Sequence, residues 1–96
     1  MAVYIIIEIK IKDKETYARY VGSVRAIVEK YRGRYLVRGG RITPIFGGWG
    51  PERIIVIEFP SAEDVNRWLG SREYKEIAKL REVSTSTKAI MVEGEE

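Results

Sequence analysis

The stretch Arg53-Ile54-Ile55-Val56-Ile57-Glu58-Phe59-Pro60-Ser61 decides how the rest of the chain can fold. Its β-branched centre reads as a buried strand, and Pro60-Ser61 stops it. On the two-residue period of a strand it has two faces. Ile55, Ile57 and Phe59 look one way, and Ile54, Val56 and Glu58 the other. One of these largely apolar faces therefore carries a single carboxylate, which is costly in a central strand unless it is paired or protonated.

Working outward, Val3 to Ile11 repeats the alternation, with Ile5, Ile7, Ile9 and Ile11 against Tyr4, Ile6, Glu8 and Lys10. Asp13 caps a helix from about Lys14 to Arg32, with Tyr17, Val21, Val24, Val28 and Tyr31 as its apolar stripe and Gly33 as its C-cap. Tyr35 to Val37 is a second strand. Arg38-Gly39-Gly40-Arg41 interrupts it as a bulge or turn, and Ile42 to Phe46 offers a place to resume. Gly47-Gly48-Trp49-Gly50-Pro51 is a loop. After the central strand, Ser61 caps a short helix edged by Val65, Trp68 and Leu69, and Asp64 completes a variant capping box. Gly70 ends it. Ser71 opens another helix carrying Tyr74, Ile77, Ala78 and Arg81. Ser84 to Thr87 reads as a polar connection, Lys88 to Glu93 as the last strand, and Gly94-Glu95-Glu96 as a frayed acidic tail.

The order β-α-β-β-α-β, in one domain over residues 1–96, is that of an α+β, ferredoxin-like fold. Its four-stranded antiparallel sheet keeps the first and third strands in the middle and both helices on one face. Ile5, Ile7, Ile9, Ile55, Ile57 and Phe59 then meet the helices. The other face carries Tyr4, Ile6, Glu8, Ile54, Val56 and Glu58, with Ile90 and Val92 beside them. An apolar patch of that size is rarely left in water. The simplest cover is a second copy of the chain, sheet against sheet about a two-fold axis.

Composition removes several classes of function. The chain has no Cys and no His, which excludes thiolate chemistry, an imidazole base, the usual haem ligand and a typical zinc site. No spacing suits a metal, and no cofactor is expected. The net charge of +3 comes from 17 basic and 14 acidic residues interspersed, which is a solvated surface rather than a nucleic-acid footprint. The sheet face is aliphatic, without the aromatic pair that stacks RNA bases. No apolar run reaches the roughly 20 residues of a membrane span, and the apolar start lacks a basic leader, so a cytoplasmic protein is expected.

Gly33-Arg34-Tyr35-Leu36-Val37-Arg38-Gly39-Gly40, the Trp49…Pro51…Arg53 loop, Glu58-Phe59-Pro60-Ser61, Trp68, Ser71…Glu73-Tyr74 and Arg81 together resemble the domain-of-unknown-function family 1330. That family is part of the dimeric α/β-barrel superfamily. The resemblance runs from the first strand to Val92-Glu93-Gly94. It implies a ferredoxin-like protomer and a face-to-face homodimer, and it implies no settled activity. Elsewhere the superfamily includes haem-degrading and quinone-forming monooxygenases, dehalogenating lyases and the ligand domains of transcriptional regulators, but kinship of fold at that range does not transfer function.

Glu58 is the candidate catalytic residue. Burial would raise its pKa toward the range of a general base, or else it serves in a structural ion pair with Arg38 or Arg81. Arg38 with Gly39-Gly40 either presents a guanidinium and free N–H groups to an anion or is a solvated bulge. Arg53 either clamps an anionic ligand or pairs with Glu52 or a helix carboxylate. Trp49 is a lid or a dimer contact, Tyr17 a phenol offered to a pocket or a packing residue, and Arg81 a second cation for Glu58. Two classes of function fit these residues. One is a homodimer that binds a small anionic or aromatic molecule and acts on it without a cofactor; the other is a non-catalytic sensing or dimerisation module.

The absence of Gln, the single Asn66 and the wealth of Ile, Glu, Lys and Arg are a heat-adapted bias. Calorimetry should give an unfolding midpoint above the usual mesophile range of about 45–65 °C, and a midpoint inside it would count against that reading.

Overall fold

The computed structural model describes residues 1–95. The elements run β1 (Val3–Ile11), α1 (Lys14–Lys30), β2 (Arg34–Arg38), β3 (Arg53–Phe59), α2 (Ala62–Gly70), α3 (Arg72–Ser84) and β4 (Thr85–Glu93). The strands form one antiparallel sheet in the order β2-β3-β1-β4, so the two most apolar strands hold the centre. The sequence expectation of a ferredoxin-like α+β fold holds. Ile5 faces Ile57 and Ile7 faces Ile55 across β1 and β3, giving the helix-side face a continuous aliphatic floor. Phe59, Ile57 and Val28 are fully buried there, and Phe59 stacks on Trp68 with ring centroids 5.3 Å apart.

Several boundaries differ from the sequence reading, each for a local reason. Helix α1 ends at Lys30, and Arg32, not Gly33, takes the left-handed conformation with φ 74°. The N–H groups of Arg32 and Gly33 donate to the Glu29 and Val28 carbonyls, which is a Schellman closure with an arginine at its turning point. The break between α2 and α3 falls at Ser71, as the sequence reading expects. Its hydroxyl donates to the Trp68 carbonyl at 2.8 Å and accepts from the Tyr74 N–H, so one residue closes α2 and opens α3. Ser84 to Thr87 is not a connection, because α3 passes directly into β4. Thr85 Oγ1 donates to the Arg81 carbonyl at 2.6 Å, and the Ser84 carbonyl accepts from the N–H groups of Lys12 and Asp13. The helix end is thereby satisfied without a loop.

Ile42 to Phe46 does not resume β2; it is an exposed loop, with Phe46 89% accessible. The tail is tied at Gly94, whose N–H donates to the Ala2 carbonyl at 2.8 Å, while Glu96 lies outside the described residues. The bulge sits earlier than Arg38-Gly39-Gly40. Arg34 and Tyr35 pair with Glu58 and Ile57, but Val37 and Arg38 pair with Val56 and Ile55, so the extra residue is Leu36. The molecule is only 17 Å across its shortest axis, the depth of a sheet and one helical layer. The far face of the sheet is therefore open, and on it Ile90 is 60% and Val92 41% accessible.

Gly33 is required by packing. A Cβ there would stand 2.5 Å from Val28 Cγ1 and 2.7 Å from Phe59 Cζ, inside the best-buried part of the core. Gly33→Ala should destabilise the protein by about 1–3 kcal/mol in chemical denaturation, as overpacking does. An unchanged midpoint would mean that the Phe59 ring moves aside freely.

Candidate functional site

A cavity of about 330 Å³ lies between the helices and the sheet. Its floor is the helix-side face of β1 and β3, with Ile5, Ile7, Ile9, Ile55 and Ile57. Tyr17 and Tyr20 enter from α1, Trp68 from α2, and Tyr74 and Arg81 from α3. Arg38 and Arg53 reach in from β2 and β3. The rim includes the exposed residues Asn66, Leu69, Ala89 and Met91, so the cavity meets solvent between α2 and β4. The volume falls at the lower end of the range of small-molecule pockets.

Two of the guanidiniums are held by neutral groups. Arg53 donates from Nε to the Tyr17 hydroxyl at 3.1 Å and lies over the Tyr17 ring, 5.6 Å from its centroid. Arg38 donates to the Val21 carbonyl at 2.9 Å and stacks on Tyr35 at 4.8 Å. Such cation–π contacts fix a guanidinium without neutralising it. Burial works against the charge of Arg81, but the Tyr74 and Tyr20 hydroxyls outweigh it and hold the group above its ordinary value. Among the described residues, none of the three makes a salt bridge, and no carboxylate lines the cavity.

Deeper in, the Tyr20 and Tyr74 hydroxyls meet at 3.2 Å. Burial raises the Tyr20 phenol far above its ordinary value, and Tyr74 beside it adds to the effect. Burial likewise pushes Tyr35 up to about 12, against the pull of Arg38. Tyr20 and Tyr35 stay protonated at neutral pH. Trp68 is 3% accessible, and its Nε1 finds no hydrogen-bond partner among the described residues.

The structure divides the residues singled out from the sequence. Tyr17, Arg38, Arg53 and Arg81 meet at one cavity. Glu58 does not join them. It lies on the open face of the sheet, where it accepts from Arg34 Nη2 at 2.6 Å and from the Tyr4 hydroxyl at 3.2 Å. The expected partners, Arg38 or Arg81, are on the far side of the sheet. Arg34 stands directly opposite Glu58 in the ladder, and the bulge at Leu36 carries Arg38 to the helix side. The Glu58 carboxylate in turn holds the Tyr4 phenol above its ordinary value. Trp49 is 62% exposed and borders a shallow depression on the open face with Ile6, Ile54 and Ile90. Two residues of the cavity were missed. Tyr20 sits three residues after Tyr17 and four before Val24, a helical spacing that could have revealed it. For Trp68, a core position concealed an unpaired donor.

Gly39 keeps Arg53 in place. It has φ 71°, and a Cβ there would collide with the Arg53 guanidinium at Nη1. Gly39→Ala should cost about 1–2 kcal/mol from the left-handed backbone and displace Arg53 from the Tyr17 ring. A crystal structure of the variant reads the second effect directly, and an unmoved guanidinium would show that Gly39 is only a turn residue.

A family model described as Domain of unknown function (DUF1330) matches residues 2–95. Among solved structures, the chain resembles RPA0582, a protein of unknown function from Rhodopseudomonas palustris. The TM-score is 0.84 and the identity 15%, over 99% of this chain and 83% of that one. It also resembles SnoaB, a cofactor-independent oxygenase from Streptomyces nogalater, with a TM-score of 0.70 and 8% identity, over 99% and 94% of the two chains. A dimeric protein of unknown function and ferredoxin-like fold from Bacteroides fragilis gives a TM-score of 0.60 and 17% identity, over 97% and 96%. At these identities the likeness is one of fold. No curated protein matches the chain significantly. No helix among the described residues is long and apolar enough to cross a membrane.

Proposed function

The chain belongs to the DUF1330 family, and from that premise we propose that it binds a small anion with an apolar, ring-sized body in the cavity between sheet and helices. The observation that supports this most is three guanidiniums at one apolar cavity that no carboxylate among the described residues lines. Unpaired cations beside a low-dielectric wall are costly in the empty protein, and a ligand carboxylate, phenolate or similar oxyanion removes that cost. Arg38 and Arg53 orient the anion, Tyr17 holds Arg53, and the isoleucine floor takes the body of the ligand.

Among the described residues the cavity wall holds no carboxylate, imidazole or amine to act as a general base, which favours binding over base catalysis. Cofactor-independent oxygenation is the activity of SnoaB, a protein this chain resembles in fold. Here Glu58 serves the open face of the sheet in its pair with Arg34, and Trp49 borders that face as well.

Calorimetric titration with aromatic monocarboxylates such as 2-naphthoate tests the reading. Arg53→Met should weaken binding by about 10- to 100-fold, the worth of one charged hydrogen bond. Burial keeps Tyr20 and Tyr35 protonated, so neither phenol should make affinity vary between about pH 6 and 9. Failure of every acid to bind, or an Arg53→Met variant equal to the wild type, would overturn it.

The second element of the proposal is a homodimer that covers the open face, where Tyr4, Ile6, Ile54, Val56 and Ile90 form one apolar surface. The Bacteroides fragilis protein described as dimeric supports it. Sedimentation should show a dimer at micromolar concentration, and Val56→Lys should yield a monomer by placing an unpaired charge in the interface. A monomeric wild type would contradict it.

A further inference from the structure

The inner wall of the cavity carries a demand of its own. Trp68 Nε1 is a buried donor that no acceptor among the described residues meets, although the indole packs against Phe59 on one side and Tyr74, at 4.6 Å, on the other. Beside it, the Tyr20 and Tyr74 hydroxyls bond each other, which uses one of their two protons and leaves the other to give. Among the described residues the inner wall therefore keeps two donors without an acceptor, the indole N–H and one phenol proton, and both are neutral. An unmet donor this deeply buried is uncommon in a folded protein and calls for a partner that the described residues do not supply.

Trp68 and Arg53 sit toward opposite ends of the sheet, while Arg81 lies nearer Trp68, beside Tyr74 and Tyr20. Arg53 opens β3 opposite Ile9, whereas the Trp68 ring stacks on Phe59, which closes the same strand. Building on the anion-binding reading above, we infer that the ligand is bifunctional, with its anionic group at Arg38 and Arg53 and a neutral acceptor oxygen, of the ketone or amide-carbonyl class, that takes the Trp68 N–H. The ligands favoured are thus oxo-substituted aromatic acids over purely hydrocarbon ones of the same shape. A carbonyl oxygen has two lone pairs, so it can accept from Trp68 and from the spare phenol proton together.

Matched probes separate this from simple anion binding. In 4-acetylbenzoate and 4-isopropylbenzoate, and in the corresponding phenylacetates one methylene longer, a carbonyl oxygen replaces a methyl group at nearly constant shape. Each is titrated into ¹⁵N-labelled protein while the two indole N–H resonances are followed, one from exposed Trp49 and one from buried Trp68. In at least one pair the acetyl compound should bind about tenfold tighter and move the Trp68 resonance downfield, with Trp49 unmoved. Trp68→Phe keeps an aromatic ring on Phe59; it should abolish that preference while still binding the isopropyl compound. If the acetyl and isopropyl members bind equally and leave the Trp68 resonance alike, the inference is overturned and the anion site stands. If no probe binds at all, the anion reading falls and this inference falls with it.

Discussion

One extra residue in β2 settles which charges meet. Up to Tyr35 the strand pairs with β3 in simple antiparallel register, and Arg34 meets Glu58. Continued unchanged, that register would set Arg38 opposite Ile54, on the open face. The bulge at Leu36 shifts it by one, so Arg38 lies opposite Ile55 and turns toward the helices. The same arginine then rests on Tyr35 and donates to Val21 of α1. Without the bulge the open face would hold two arginines beside Glu58, and the cavity would lose one of its cations.

The distribution of acidic groups completes this separation. Asp64 accepts from Arg67, Glu73 from Lys30 and Tyr31, and Glu58 from Arg34 and Tyr4. Each of these carboxylates has its cation outside the cavity. Tyr31 and Lys30 together hold Glu73 below the usual carboxylate range. Surface pairs such as Glu73 with Lys30 contribute little to stability. Their consequence for the cavity is larger, because the acids are occupied elsewhere. Arg38 and Arg53 are left with a carbonyl, a phenol oxygen and two aromatic rings, which hold direction and leave the charge available.

The central pairing of β1 with β3 was legible in the sequence, because period-2 alternation in two isoleucine-rich runs fixes which face is buried. The caps Asp13, Ser61 and Ser71 were legible for the same local reason, short polar side chains just ahead of apolar periodicity. The bulge was not. Leu36 has none of the glycine or asparagine character that announces one, while Gly39-Gly40 nearby has that character and only leads the chain away from the sheet. Misplacing the bulge by a few residues exchanged the roles of Arg34 and Arg38 and gave Glu58 a partner that lies on the other side of the sheet. Thr85 to Thr87 looked polar enough for a linker, yet their hydroxyls bond the Arg81 carbonyl and each other and let a strand begin at once. Trp68 reads as core, and it is core; that the core also contains a cavity is a property of packing that no periodicity records.

The central claim is that the anion site lies between the helices and the sheet rather than on the open face that holds Glu58. A crystal structure of the protein soaked in 2-naphthoate tests it most directly. The expected result is density for the ligand over the isoleucine floor, with its carboxylate within hydrogen-bond distance of Arg38 and Arg53. Ligand density on the open face beside Arg34 and Trp49, with the helix-side cavity free of it, would contradict the claim.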